Sequence, residues 1–526
     1  MTAQETLKPL PVSTSTFRKI IQGDYLYVDK TKWIYELIRE PFGVYFLSRP
    51  RRFGKSLLIS TLDEIFQGNR ELFQGLWLYN SPYQWEQYPI IRIDFGRNPV
   101  QSAAELERSI QRILQRLARQ HQVKLGEGSC AEQFDDLIFE LSTQNQVVIL
   151  IDEYDKPILD NIENLEEAKR IRRVLKGFYG VIKGMDEYVR FVFLTGVSKF
   201  SQVSVFSDLN NLEDLTLVPA FSALLGITQA ELERDLRPYL QDFAGRQGDS
   251  LTTLLAQFRF WYNGFCFSDA CQLVYNPFSL LKALKARKFS SYWFETGTPT
   301  FLLKLIKTRG YDVRELEQLD IPAMAFSTYE IERLDIVPLL FQTGYLTIKS
   351  YNPKNRRYRL SYPNYEVEHA FLTHLFDMFG QLDKAVAVHY LGQLAVALQE
   401  KHWPRFFLVL NTLLANIPYE IHIPQEKYYQ SIFHLIFKLI GLEINAEVHT
   451  NWGRIDAVIE TENDVFLFEF KLDGSAEGAL EQIKQKEYFG RYRLAGKRLH
   501  LVGVNFEMEK RGVGEWLVER MDGDSS

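Results

Sequence analysis

Two acids and a lysine near the C-terminus have the types and spacing for phosphodiester chemistry. Asp456 lies in one apolar run, Arg454–Ile459, and Glu469 and Lys471 close the next, Val465–Lys471. Side chains alternate along a strand, so Glu469 and Lys471 share one face while Phe468 and Phe470 take the other. A lysine in so apolar a run is costly to bury without a partner. Two carboxylates and an ammonium converging at a hairpin edge would hold a divalent metal and orient a water, which is the equipment of a metal-dependent phosphodiester hydrolase. In that arrangement Asp456 and Glu469 bind Mg²⁺ with the Phe470 carbonyl, and Lys471 stabilises developing charge or positions the water. A surface ion pair between Glu469 and Lys471 would explain the same residues and contribute little, but the apolar flanks argue against full exposure. Glu426 at a helix start, Glu447 on the preceding strand, and Gln482 and Tyr488 on the following helix are secondary candidates. A helix-start charge explains Glu426 about as well and helix surface polarity explains Gln482 and Tyr488 nearly as well, while Glu447 is expected to face solvent.

A second cluster lies near the N-terminus. Gly54-Lys55-Ser56 keeps the second half of the phosphate-loop pattern, and Arg49 stands where its first glycine would be. Backbone N–H groups at a helix start face phosphates, Lys55 reaches the β- and γ-oxygens, and the Ser56 hydroxyl ligates Mg²⁺. Arg49, Arg51 and Arg52 add positive charge to the loop, and Pro50 fixes one φ angle. Further on, Val147–Ile151 runs into Asp152 and Glu153. An acid at such a strand end holds Mg²⁺ through water, and the adjacent glutamate polarises an attacking water. Thr195 and Ser198 follow another apolar run and could sense a γ-phosphate or simply cap the strand end. Lys199 and Arg190 are candidate charge-stabilising groups. Loop and acids in this order point to ATP and Mg²⁺ as ligands.

The elements that must position these groups can be read from periodicity. Short apolar runs at 43–47, 90–95, 147–151 and 190–194 are buried strands, separated by helical patterns after Ser56 and over 103–121. Alternation of this kind predicts a parallel sheet covered by helices, ending near residue 215. Residues 216–375 read as a helical or winged-helix-like module. It has helices at Gln229–Phe243 and Pro277–Ala286 and a hairpin whose arms are Tyr345–Lys349 and Arg357–Leu360. Residues 376–425 read as a helical connector. From 426 to 526 the order helix, three strands, helix, strand gives an α-β-β-β-α-β core. The expected class is therefore multidomain α/β.

A chain of 526 residues exceeds one ordinary core. Its net charge of -6 supplies no global basic field, so contact with DNA or RNA must come from local patches. Cys130, Cys266 and Cys271 cannot build a disulfide framework, and Cys266 and Cys271 lack a Cys/His set for zinc; reduced packing thiols are the expectation. No secretory signal or membrane-length apolar stretch is seen, so a cytoplasmic location is expected. Homo-oligomerisation stays open.

Several segments together resemble a known family. They are Arg49-Pro50-Arg51-Arg52-Phe53-Gly54-Lys55-Ser56, Leu150-Ile151-Asp152-Glu153-Tyr154-Asp155-Lys156, Tyr275-Asn276-Pro277-Phe278 and Glu295-Thr296-Gly297-Thr298-Pro299. They look like those of the bacterial and archaeal AAA-ATPase-like proteins, whose members share the arginine in place of the first glycine. Gly453-Arg454-Ile455-Asp456 and Glu469-Phe470-Lys471 resemble the PD-(D/E)XK nuclease domain that commonly follows. Ile455 stands where the motif's name has proline, a position that varies in the superfamily. The resemblance implies a P-loop NTPase sheet of the additional-strand, catalytic-glutamate type fused to a restriction-endonuclease-like core. It implies an ATP-regulated, Mg²⁺-dependent nuclease with Arg52, Gly54, Lys55, Ser56 and Asp152 at the nucleotide. Glu153, Asp456, Glu469 and Lys471 would be catalytic. The alternative is a nucleotide-dependent switch whose nuclease domain grips nucleic acid without cutting it.

Overall fold

A computed structural model describes residues 7–199, 206, 209, 211–296, 302–303, 305–306, 316, 319–326, 335–380, 384–415, 426–440, 443–450, 453–487, 489, 492, 497–510 and 512–521. The chain divides into two compact units, Met1–Phe301 with Gln318–Val367, and Leu302–Glu317 with Glu368–Ser526.

The first unit is built on a five-stranded parallel sheet. Its strands are β1 (Val44–Ser48), β2 (Ile90–Asp94), β3 (Val147–Asp152), β4 (Val189–Gly196) and the short β5 (Glu213–Asp214). Their order across the sheet is β2-β3-β4-β1-β5. Strand β4 thus lies between β1, which feeds the loop, and β3, which ends in the acids; Ser48 is level with Gly196 and Ile151 with Leu194. This is the additional-strand arrangement that the resemblance implies. Continuous apolar runs such as Val147–Ile151 are fully buried because helices cover both faces. Helix α1 (Lys55–Phe66) leaves the loop. Helices α2 (Ala103–Gln120), α3 (Cys130–Ser142) and α4 (Leu165–Gly184) pack against one another. The α2 helix presents Leu106, Ile110, Ile113, Leu114 and Leu117 to the interior at helical spacing, as expected for 103–121.

The rest of this unit is mixed. The single helix expected over Gln229–Phe243 is two, Gln229–Asp235 and Arg237–Gln247. Pro238 lies in the first turn of the second helix, where its missing N–H costs nothing and its ring stops the first from continuing. A hairpin of β6 (Phe265–Cys266) and β7 (Leu273–Tyr275) leads into α5 (Pro277–Ala286), which the Asn276 side chain caps. Helix α6 (Ile336–Thr343) precedes the expected hairpin, β8 (Thr347–Asn352) and β9 (Arg357–Ser361); the strand Leu319–Pro322 pairs on its far side.

In the second unit, α7 (Glu426–Leu439) precedes β10 (Glu443–Thr450), β11 (Gly453–Glu460) and β12 (Asp464–Leu472). Helix α8 (Ala476–Gln485), β13 (Arg498–Glu507) and a further strand, β14 (Gly512–Met521), complete it. The sheet order is β10 to β14 in sequence, with β12 and β13 parallel and the other pairs antiparallel. Alternation along β12 serves two cores. Phe466, Phe468 and Phe470 join Phe433 and Phe437 of α7, whereas Val465 and Leu467 join Leu480 and Ile483 of α8. Glu469 and Lys471 therefore lie on the α8 face.

Candidate functional sites

The loop between β1 and α1 departs from a glycine-opened turn at its first position. The Arg49 N–H still bonds the Gly196 carbonyl, so the strand ladder runs one residue further and no positive φ is needed there. Arg49 does not add charge to a phosphate site, contrary to the sequence expectation. Its guanidinium is buried and donates to the carbonyls of Ser48, Thr216 and Phe221, 4.3 Å from the Phe267 ring centre. Burial pushes its pKa down to about 9. Positive φ appears later, at Arg52 (67°) and Gly54 (94°). There the chain turns so that α1 begins at Lys55. Arg52 lays its guanidinium over the Phe278 ring at 4.4 Å.

Lys55 is buried and donates to the Arg49 and Pro50 carbonyls at 2.9 and 3.0 Å. Burial lowers its pKa, while Asp152, Glu153 and Asp155 pull the other way. Burial raises the pKa of Asp152, which accepts from the Ser56 side chain and the Glu153 N–H. Glu153 is raised too, again by burial first. It has φ 53° and its carboxylate closes over Gly96, where a Cβ would collide with it. Arg51, Arg52, Gly54, Lys55, Ser56 and Glu153 share one cleft of ≈ 620 Å³ with Asp155, Pro11–Ser15, Phe278 and Leu281. Asp152, with the Ser56 hydroxyl on it, and the buried Lys55 beside it are groups that could hold a triphosphate with Mg²⁺.

Sequence reasoning missed the part played by Asp155. Its Oδ2 accepts from the Val197 N–H (3.0 Å), the Ser198 N–H (2.6 Å) and the Ser198 hydroxyl (2.6 Å), fastening the acid loop to the end of β4. Ser198 is thus engaged, and the Thr195 hydroxyl donates to the Leu47 carbonyl, so both close the strand ends. Lys199 pairs with Asp214 at 2.5 Å. Arg190 lies at the opposite end of β4, where it donates to the Ile38 carbonyl, and is no part of this cleft. Phe278 lies in a segment that carries the family resemblance, whereas the Pro11–Ser15 wall had no signal in the sequence.

In the second unit the β11–β12 ladder stops at Ala457 opposite Phe468. One step further, the Asp456 carboxylate takes the Phe470 N–H at 2.8 Å. Glu469 is 2% exposed. Its Oε1 accepts from the Gln482 amide, and its Oε2 is buried with no hydrogen-bond partner. Gln482 Oε1 in turn accepts from Lys471 Nζ at 2.7 Å, leaving that ammonium 4.0 Å from Glu469. Burial, helped by repulsion from Asp456, pushes the Glu469 carboxyl up to about 8. A buried carboxylate oxygen without a donor, beside a second carboxylate, is what a divalent cation would satisfy. Helix α8 reaches the site because Gly503 of β13 lets it approach; a Cβ there would collide with the Ala476 carbonyl. Tyr488, Gly297-Thr298-Pro299 and the side chains of Glu426 and Glu447 lie outside the described residues.

Among the described residues no helix is long and apolar enough to cross a membrane. Residues 11–206 match the family model described as Predicted AAA-ATPase, and residues 424–516 match that of the PD-(D/E)XK nuclease superfamily. The chain is 39% identical to a protein of Azotobacter chroococcum mcd 1 named "Uncharacterized protein in vnfD 5'region", covering 98% of this chain and 99% of that protein.

Proposed function

Because the chain belongs to the AAA-ATPase-like family that carries a C-terminal PD-(D/E)XK nuclease superfamily domain, we propose that it binds ATP and acts as an ATP-regulated, metal-dependent nuclease on DNA or RNA. The observation that carries this reading is Glu469, whose buried Oε2 has no donor while Asp456 stands beside it and Lys471 is held close through Gln482. Asp456 and Glu469 would hold Mg²⁺. When bound, the cation supplies Lewis-acid polarisation of the scissile phosphate and an acidified water. Gln482 keeps Lys471 off a tight ion pair and aims its ammonium at the charge that develops on the phosphate. Asp456 fixes the end of β12 by taking the Phe470 N–H, so the two carboxylates keep their spacing.

At the first cleft, Lys55 would leave the two loop carbonyls for the β- and γ-phosphates. Ser56 and Asp152 would hold Mg²⁺, and Glu153 would orient a water. Binding there favours whichever state of the chain suits the nucleotide, which is how ATP would regulate cutting. A second reading, a nucleotide-dependent nucleic-acid-binding switch without cleavage, draws on one observation. Among the described residues no group of three or more His, Cys, Asp or Glu gathers around a metal-sized space.

The test is cleavage of single- and double-stranded DNA and RNA with Mg²⁺ or Mn²⁺, with and without ATP, by wild type and Lys471→Ala. Cleavage that falls at least about a hundredfold in the variant supports the nuclease. No cleavage by wild type under any condition, with nucleic acid still bound, favours the switch.

A further inference from the structure

Cys266 and Cys271 bracket the turn between β6 and β7. Cys266 is level with Leu273 in the hairpin, so the chain folds back to bring Cys271 beside it. Both are anchored at one carbonyl: Cys266 Sγ lies 3.1 Å from the Ser268 oxygen, and the Cys271 N–H bonds the same oxygen at 3.1 Å. The hairpin register and the shared Ser268 carbonyl hold both residues in one tight turn. The Cys266 backbone is clamped on β8, its N–H donating to the Thr347 hydroxyl at 2.7 Å and its carbonyl accepting from it at 3.1 Å. Cys271 Sγ lies 3.6 and 3.8 Å from the Ile348 and Lys349 carbonyls of the same strand. Cys266 is buried, whereas Cys271 is partly exposed at the tip.

We infer that Cys266 and Cys271 are a site of reversible oxidative modification, a dithiol that a small disulfide such as glutathione disulfide converts to an internal disulfide, shifting the turn that supports the phosphate loop. The asymmetry assigns the order of events. The neighbouring Cys266, helped by the Lys349 ammonium, holds the Cys271 thiol below its ordinary value against the opposing effect of burial, while Cys271 and burial push Cys266 up. Cys271 is also the exposed partner, so its thiolate attacks the small disulfide and releases one glutathione thiolate. Cys266 then loses its proton to solvent and attacks Cys271 sulfur, expelling the second glutathione. The protein loses two hydrogens and the small disulfide is reduced to two thiols, so electrons balance.

Closure matters because of what the turn carries. Drawing the two sulfurs together to a bond of about 2 Å must be absorbed by the intervening residues. Phe267 is among them, packed 5.3 Å from Phe53 and beneath the Arg49 guanidinium. Both Phe53 and Arg49 belong to the phosphate loop. The dithiol does not require ATP or nucleic acid as a ligand of the chain, so it stands apart from the proposed function.

The experiment titrates the full chain with glutathione disulfide, then reads alkylation and peptide mass. Wild type should yield a Cys266–Cys271 cross-linked peptide, reversible by dithiothreitol, with Cys130 unchanged as the buried internal reference. Cys266→Ser should stall as a stable glutathione adduct on Cys271, and Cys271→Ser should stay unmodified at the same concentration. In oxidised wild type, the amides of residues 51–56 should exchange with deuterium several-fold faster than in reduced protein. Three alkylatable thiols in wild type after treatment, or a persistent glutathione adduct without closure, overturns the site. Cross-linking with unchanged exchange in the loop overturns its link to the phosphate loop.

Discussion

Replacing Glu469 with glutamine is expected to stabilise the metal-free protein, and only above a definite pH. Burial and Asp456 raise the Glu469 carboxyl from the ordinary 4.5 to about 8. At about 1.4 kcal/mol for each tenfold change in proton affinity, the ionised form costs the fold up to about 5 kcal/mol. Relaxation and entering water reduce this, so about 2–3 kcal/mol is the working figure. Between the two values the folded state holds a proton that the unfolded state has lost. Stability from this group is therefore fully present below 4.5 and is lost as pH rises through about 8. Glu469→Gln carries no such charge. In excess chelator the melting-temperature difference, variant minus wild type, should be near zero at the acid end and positive by several degrees at about pH 9. Mg²⁺ or Mn²⁺ should then raise the wild-type melting temperature at the alkaline end and leave the variant nearly unmoved. Thermal scans across pH, with chelator and with metal, measure both. A difference that is flat with pH, or equal stabilisation of both proteins by metal, would refute the reasoning that Glu469 is a buried acid awaiting a cation.

Two further outcomes follow from the packing. Lys55→Ala removes a charge-assisted contact to phosphate worth about 1.5–3 kcal/mol, so affinity for a non-hydrolysable ATP analogue, measured by calorimetry, should fall roughly ten- to hundredfold; unchanged affinity would place the nucleotide elsewhere. Phe433 is 1% exposed, with ring centroids 5.0 Å from Phe468 and 4.6 Å from Phe470. Phe433→Ala should cost about 3–5 kcal/mol by urea unfolding followed by tryptophan fluorescence, because deleting the ring leaves a cavity behind β12.

Local patterns determined much of this molecule. Runs such as Val147–Ile151 were legible as buried strands, since a parallel strand covered on both faces needs apolar residues at every position. The alternation Phe468-Glu469-Phe470-Lys471 identified which residues share a face, because side-chain direction along a strand has a fixed period, and only the packing showed that the phenylalanines meet α7 while the other face meets α8. Helix 103–121 announced itself through its apolar stripe. The break between Asp235 and Arg237 did not, because the apolar spacing continues across it while Pro238 starts a new helix.

What depended on residues distant in sequence was out of reach. Arg49 looked like a charge for phosphates, and only the partners at Thr216 and Phe221, far along the chain, turn it inward. Gln482 could be named from its place on a helix, but that it joins Glu469 to Lys471 depends on the close approach of α8 at Gly503. Cys266 and Cys271 read as packing thiols, and only the folded hairpin brings both against β8. Periodicity, strand ends and the types of group available could be read before folding, because those are properties of neighbouring residues. Which groups meet and which are buried was settled only in the folded chain, because desolvation and hydrogen bonding depend on what distant segments bring to each side chain.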